Sequence, residues 1–187
     1  MNGKGVMHYA NGDRYDGEWF NGQKHGKGVF YGHDGSRYEG EWANNYRSGF
    51  GTSINNKGDR YEGQWRDGGK NGQGKIIYGN GEKYEGEWKN DQKNGFGAIE
   101  MVSGDRYAGE WTEGEKDGKG TYTFVNGDQY VGCWLADKRN GNGRYIWANG
   151  DEYNGEWKND KMNGRGLVKG VDGNVVEGEF KDDKKIR

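Results

Sequence analysis

The chain has 187 residues, with 28 Lys and Arg against 30 Asp and Glu, and a formal net charge of −2. That balance lacks the dominant positive field on which nucleic-acid binding rests. The single cysteine, Cys133, excludes an intramolecular disulfide framework and fits a reducing compartment. Proline is absent, which suits paired strands that each need their backbone donors. With no apolar run near ~18 residues and no leader-like segment, the sequence reads as neither membrane-spanning nor exported by itself.

Residues 1–10 read as a half unit. Gly3-Lys4-Gly5-Val6-Met7-His8-Tyr9 is a short β-prone run, and Met1 falls in the phase of Lys24, Lys93 and Met162. The chain therefore begins inside a unit, which reads as a segment of a longer protein, with a native start at that point as the alternative. Residues 11–170 hold seven full copies of a 23-residue unit with no linker, insertion or deletion. Tyrosine recurs at Tyr15, Tyr38, Tyr61, Tyr84, Tyr107, Tyr130 and Tyr153, and tryptophan in step at Trp19, Trp42, Trp65, Trp88, Trp111, Trp134 and Trp157. A fixed period in this range is the mark of a repeat array. Residues 171–187 hold a degraded eighth copy, with Val176, Gly178 and Phe180 where Tyr, Gly and Trp stand elsewhere. Terminal repeats are commonly atypical because one side has no neighbour. Residues 1–187 thus read as one continuous array without a domain boundary.

Within a unit, Tyr84, Gly86 and Trp88 sit two apart, which is the period of a strand. Lys83, Glu85 and Glu87 point the other way, giving one aromatic and one ionic face, as in a half-buried sheet. The mid-strand glycine predicts space for an aromatic ring from a neighbouring strand. A second strand follows Gly-x-Gly, as in Gly74-Lys75-Ile76-Ile77-Tyr78 and Gly120-Thr121-Tyr122-Thr123-Phe124. Asn-Gly marks two turn phases, one at Asn80-Gly81, Asn126-Gly127 and Asn149-Gly150, the other at Asn71-Gly72, Asn94-Gly95, Asn140-Gly141 and Asn163-Gly164. Most of the 39 glycines fall in four fixed phases, so they punctuate structure rather than make a linker.

Tyr-x-Gly-x-Trp, a polar run and then Gly-x-Gly, at this period, resembles the MORN repeat (membrane occupation and recognition nexus). Asp16 to Gly28, ending His25-Gly26-Lys27-Gly28, matches most closely; later copies carry Ser48, Asn71, Asn94, Asp117, Asn140 and Asn163 in place of that histidine. The resemblance implies an all-β fold, a single-layer antiparallel array of stacked β-hairpins, elongated and twisted, with an aromatic groove. It also implies a non-catalytic role in scaffolding, cytoskeletal attachment or membrane association in the cytoplasm.

The aromatic ladder reads first as core. It also reads as a groove for a helix or extended segment of a protein partner, with Tyr38, Trp42, Tyr61, Trp65, Tyr84, Trp88, Tyr107, Trp111, Tyr130 and Trp134 as candidate contacts. A basic column runs through the turns at Lys24, Arg47, Lys70, Lys93, Lys116, Arg139 and Lys185, and a second along the ionic face at Arg14, Arg37, Arg60, Lys83 and Arg106. The first could meet anionic phospholipid. Flanking columns of Asp13, Asp59, Asp105 and Asp151, and of Glu18, Glu41, Glu87, Glu110 and Glu156, favour a solvated, neutralised face instead. His8, His25 and His33 lie far from Cys133 and form no metal-ligand spacing. No cofactor is implied. Gly-x-Gly recurs between strands rather than before a helix, and no nucleophile–base pair stands out, so the chain does not read as an enzyme.

The expected function is a protein-binding scaffold. The rivals are an anionic-lipid adaptor, a carbohydrate- or choline-binding wall repeat, and a regulatory module of a larger enzyme. Self-association through the strand edges at the array ends is a further expectation. Cys133 with Val131 and Leu135 reads as a small exposed apolar spot.

Overall fold

The computed structural model describes residues 2–187, and Met1 lies outside the described residues. They divide into two compact units between Lys93 and Asn94. All regular structure among them is strand.

The first unit holds β1 (Gly3–His8), β2 (Arg14–Phe20), β3 (Gln23–Tyr31), β4 (Arg37–Ala43), β5 (Tyr46–Ile54), β6 (Arg60–Arg66), β7 (Gly69–Ile77) and β8 (Lys83–Lys89). Each pairs antiparallel with the next in chain order. The second unit is built in the same way from β9 (Gln92–Glu100), β10 (Arg106–Thr112), β11 (Glu115–Thr123), β12 (Gln129–Leu135), β13 (Lys138–Ile146), β14 (Glu152–Lys158), β15 (Lys161–Lys169), β16 (Val175–Lys181) and the short β17 (Lys184–Lys185). This is the antiparallel hairpin array that the repeat predicts.

The register aligns glycines across the strands. Gly5, Gly17, Gly28, Gly40, Gly51, Gly63, Gly74 and Gly86 pair in succession in the first unit, and Gly97 through Gly178 do so in the second. The tyrosine of each first strand folds over this row. A Cβ built on Gly17 would lie 2.6 Å from Tyr15 Oη, and one on Gly28 would lie 2.5 Å from Tyr15 Cζ. The ring that uses the space above Gly17 therefore comes from its own strand, two residues earlier, and not from a neighbour as the sequence reading expects. The tyrosine hydroxyl then reaches the backbone at i+3: Tyr61 Oη donates to the Gln64 carbonyl at 2.9 Å, next to a break in register between Gly63 and Trp65. A carbonyl left beside that irregularity gains a donor without water.

Asn80-Gly81, Asn126-Gly127 and Asn149-Gly150 lie in turns as expected, with Gly81 N donating to the Tyr78 carbonyl at 2.9 Å, whereas in the other phase the turns lie earlier than Asn-Gly suggests. Asn90 and Asp91 both have positive φ, 50° and 67°, as do Asp67 and Gly68, at 50° and 84°. Two such residues make the tight primed turn that suits strand twist. Asn71-Gly72, expected as a turn, lies inside β7, where Gly72 has φ +89° opposite the register break. Turns and bulges both demand positive φ, so the same dipeptide serves either.

At four of the bulges the Glu or Gln in this phase has a structural task. Glu41 Oε1 accepts from Phe50 N at 3.3 Å, Gln64 Oε1 from Gln73 N at 2.8 Å, Glu110 Oε1 from Lys119 N at 3.0 Å and Glu156 Oε1 from Arg165 N at 3.1 Å. Cys133 holds this phase in one repeat and offers no such acceptor to Asn142 N. Cys133→Glu is expected to stabilise the protein by about 0.5–1.5 kcal/mol, the usual net worth of a hydrogen bond. Chemical denaturation measures it, and Cys133→Ala should give no gain.

Where this loop phase is aspartate, it ties one loop to the next. Asp59 Oδ1 accepts from Gly79 N, Asp105 from Val125 N and Asp128 from Ala148 N, each at 2.8 Å. The Gly79 and Val125 amides hold the carboxyls of Asp59 and Asp105 below the usual range, and the Tyr145 hydroxyl does most for Asp128. A carboxyl depressed in the fold contributes stability that is present above its unfolded value and is lost as pH falls through the folded one. The thermal midpoint should therefore hold steady from pH 7 to about 5 and fall below about 4. Asp105→Asn should lower the midpoint at neutral pH and flatten the acid limb.

Candidate partner-binding face

The floor of the aromatic face is a ladder of rings at right angles. In the first unit Trp19, Tyr15, Trp42, Tyr38, Trp65, Tyr61 and Trp88 alternate edge-to-face, with centroids 5.0–5.4 Å apart in successive pairs. The second unit repeats the arrangement from Trp111 through Tyr107, Trp134, Tyr130, Trp157 and Tyr153 to Phe180. Edge-to-face geometry is the one that ring quadrupoles favour. Each indole also donates to a carbonyl of the glycine row, as Trp65 Nε1 does to Gly51 O at 3.1 Å. The ladder is buried: Tyr84 is 0% exposed and Trp88 4%.

Over this floor lie cations. Lys24 Nζ sits 4.7 Å above Trp42, Arg47 Cζ 4.3 Å above Trp65 and Lys70 Nζ 4.7 Å above Trp88. In the second unit Lys116 Nζ is 4.8 Å above Trp134 and Arg139 Cζ 4.4 Å above Trp157. These five cations each cap the indole of the repeat that follows. Burial pulls Lys24, Lys70 and Arg47 below their ordinary values. Beside the cations run the second-strand side chains that face the same way: Phe30, Ser53 and Ile76, then Ile99, Tyr122 and Tyr145.

The sequence pattern of the MORN repeat matches residues 1–14, 15–37, 38–60, 61–83, 84–106, 107–129, 130–152 and 153–175. The chain belongs to the MORN repeat family. No curated protein matches it. Among solved structures, its fold is similar to the TCP domain of SAS-4 (dCPAP) of Drosophila melanogaster in complex with a proline-rich motif of Ana2 (dSTIL). That match has TM-score 0.53 and 14% identity, and covers 95% of this chain and 90% of that one. The TCP10 domain of Danio rerio CPAP gives TM-score 0.52 at 11% identity, over 98% of this chain and 85% of that one. The G-box domain of the microcephaly protein CPAP gives 0.54 at 11%, over 96% and 100%. These likenesses show a shared fold.

In the MORN repeats of this chain, the ten rings expected to line a groove are buried in the ladder, and second-strand side chains lie beside them on the same face. The basic column Lys24, Arg47, Lys70, Lys93, Lys116 and Arg139 lies half-buried on the aromatic face, not in the turns; Lys93 Nζ is 5.5 Å from the Tyr84 ring centroid. On the ionic face Arg14 pairs with Asp16 at 2.8 Å, Arg37 with Glu39 at 2.6 Å, Arg60 with Glu62 at 3.5 Å and Arg106 with Glu100 at 3.6 Å. Val131 and Leu135 are exposed on either side of half-buried Cys133. No group of three or more metal-ligating side chains gathers among the described residues. No described helix is long and apolar enough to cross a membrane.

The second-strand surface column and the loop-end column beside it, Tyr78, Met101, Phe124 and Trp147, carry no recurring residue in the sequence. Their phases are fixed but their residue types vary. A search for recurring residues does not register a recurring position of changing identity.

Proposed function

We propose that this MORN array is a non-catalytic scaffold that binds a segment of a protein partner across its aromatic face, at cytoskeletal structures. The observation that carries this reading is the half-open layer above the ladder. Phe30, Tyr122, Phe124, Tyr145 and Trp147 are half-buried, held by the rigid ring floor and flanked by cations. Aromatic side chains already fixed in place lose little freedom when a partner arrives. The SAS-4 domain of like fold is seen with a proline-rich motif, and the CPAP G-box domain is linked to a role in centriole elongation, which supports both parts of the proposal.

The test is affinity capture from a cytosolic extract on the immobilised chain, with Tyr122→Glu and Tyr145→Glu as face variants. Each hydroxyl donates to an aspartate, Tyr122 to Asp105 and Tyr145 to Asp128, so Tyr122→Phe and Tyr145→Phe serve as fold controls and each variant's thermal midpoint is measured beside its binding. The expected result is a small set of proteins released by free chain and not retained by the variants. Equal retention by parent and variants would remove the face from the proposal. Binding to phosphatidylserine vesicles that collapses with salt, with no protein retained, would favour the lipid adaptor.

A further inference from the structure

On the aromatic face of the first unit, the surface layer is open at one place. The second-strand column holds Phe30, Ser53 and Ile76 in consecutive repeats. Ser53 lies in register between Tyr38 and Tyr61, a position equivalent to that of Ile76, which fills its own site and is 3% exposed. The loop-end column also thins here, to Gly32 and Asn55, between Tyr9 and Tyr78. The result is a cavity of about 300 Å³ lined in part by Lys24, Phe30, Trp42, Arg47, Ser53 and Asn55.

Carboxylates drop out at the same place. In the second unit Asp137 lies 3.7 Å from Lys116 Nζ, and Asp160 3.3 Å from Arg139 Nε. The turn residues in that phase beside Lys24 and Arg47 are Asn45 and Gly68. Ser36 replaces the loop aspartate found at Asp13 and Asp59. No carboxylate lines the cavity, while Lys24 and Arg47 both do. An apolar floor, two cations whose turn-phase neighbours are Asn45 and Gly68 in place of an aspartate, and one missing side chain coincide.

We propose that this cavity is an anchor pocket for an acidic segment of a protein partner, one that seats a single large apolar side chain in the space over Ser53 and sets an adjacent carboxylate between Lys24 and Arg47. The space left by serine in a column of Ile and Phe suits one such side chain. The charge complement sets its neighbour. The proposal rests on the protein-binding reading above.

The chain supplies its own control substitutions. Ser53→Ile fills the pocket as Ile76 does, and its thermal midpoint should rise. Lys24→Met with Arg47→Met copies Met162, which holds the cation phase in the seventh repeat. The probe is a displayed random-peptide library selected on the full chain, with recovered peptides measured by fluorescence anisotropy. The expected peptides carry a large apolar residue within two positions of Asp or Glu, and bind about tenfold more weakly to Ser53→Ile and to the double Met variant. Peptides that bind Ser53→Ile as tightly as the parent, or that lack carboxylates, overturn the pocket and leave the protein-binding reading in place. Recovery of no peptide, with proteins still captured from extract, has the same meaning; recovery of neither removes both. Phosphatidylserine vesicles that bind the parent but not Ser53→Ile, or a dimer of the parent lost in that variant, would assign the pocket to a different occupant and overturn the proposal.

Discussion

Gly63→Ala is expected to cost about 3 kcal/mol or more, and to unfold the middle of the first unit under mild denaturant. A methyl group there would stand 2.6 Å from both Tyr61 Oη and Gln73 O, and closer still to Gly74 Cα. Two of those three atoms are backbone in a paired strand, so they cannot turn aside as a side chain would. Trimming the ring with Tyr61→Phe removes only one of the three clashes and should not rescue the variant. The contrast is Gly22→Ala, where nothing lies within 4 Å and the only obstacle is φ +75°. That change should cost about 1–2 kcal/mol, the usual penalty of a side chain in the left-handed region. Urea unfolding followed by tryptophan fluorescence separates the two. A Gly63→Ala midpoint equal to that of the parent would mean that the tyrosine is not held against the glycine row.

These glycine phases show why the fold was legible in the sequence. Tyr61 contacts both Gly63 and Trp65, and Tyr38 and Tyr107 repeat the arrangement, so the identity of each is fixed and the period stands out. The turns were harder to place. Asn71-Gly72 carries the stronger turn signature, yet Asp67-Gly68 makes the turn, because the backbone requirement at a bulge is the same as at a hairpin tip. Shifting the turn lengthens β7 to begin at Gly69, and only then does Lys70 lie within a strand, where it can reach the indole of Trp88. A turn placed at Asn71-Gly72 leaves that cation in a loop, which is why the basic column reads as solvated from sequence.

The candidate site was legible only in outline. The aromatic face follows from the two-residue spacing, but which atoms a partner can touch depends on how the hairpins stack. Ladder rings are used up by their neighbours: Tyr38 contacts Trp42 and Trp65, and its hydroxyl is spent on the Glu41 carbonyl. What remains for recognition is the part of each repeat free to vary. Ser53 carries information because Phe30 and Ile76 flank it, and that becomes visible once the register sets the three side by side.

Trp65→Ala should be the most damaging side-chain truncation in the first unit, at about 3–5 kcal/mol. The indole makes edge contacts at 5.1 Å to Tyr61 and 5.2 Å to Tyr38, donates to Gly51 O and seats Arg47. Its removal opens a cavity between two tyrosines that have no other ring at that position, and leaves a glycine-row carbonyl without its donor. In a repeat array such losses act through nearest neighbours. Hydrogen exchange should therefore quicken in β4 to β7 before it does in β1. Trp65→Phe is the milder test, since the last repeat already places Phe180 against Tyr153 at 5.1 Å. It keeps the edge contacts but loses the donor and part of the face beneath Arg47. Its stability should fall between parent and Trp65→Ala. If Arg47 depends on that face for its position beside the Ser53 cavity, binding of acidic peptides should weaken with Trp65→Phe while the fold survives. Equal stability of the Phe and Ala variants would instead mean that the indole hydrogen bond, and not the ring stack, holds these hairpins together.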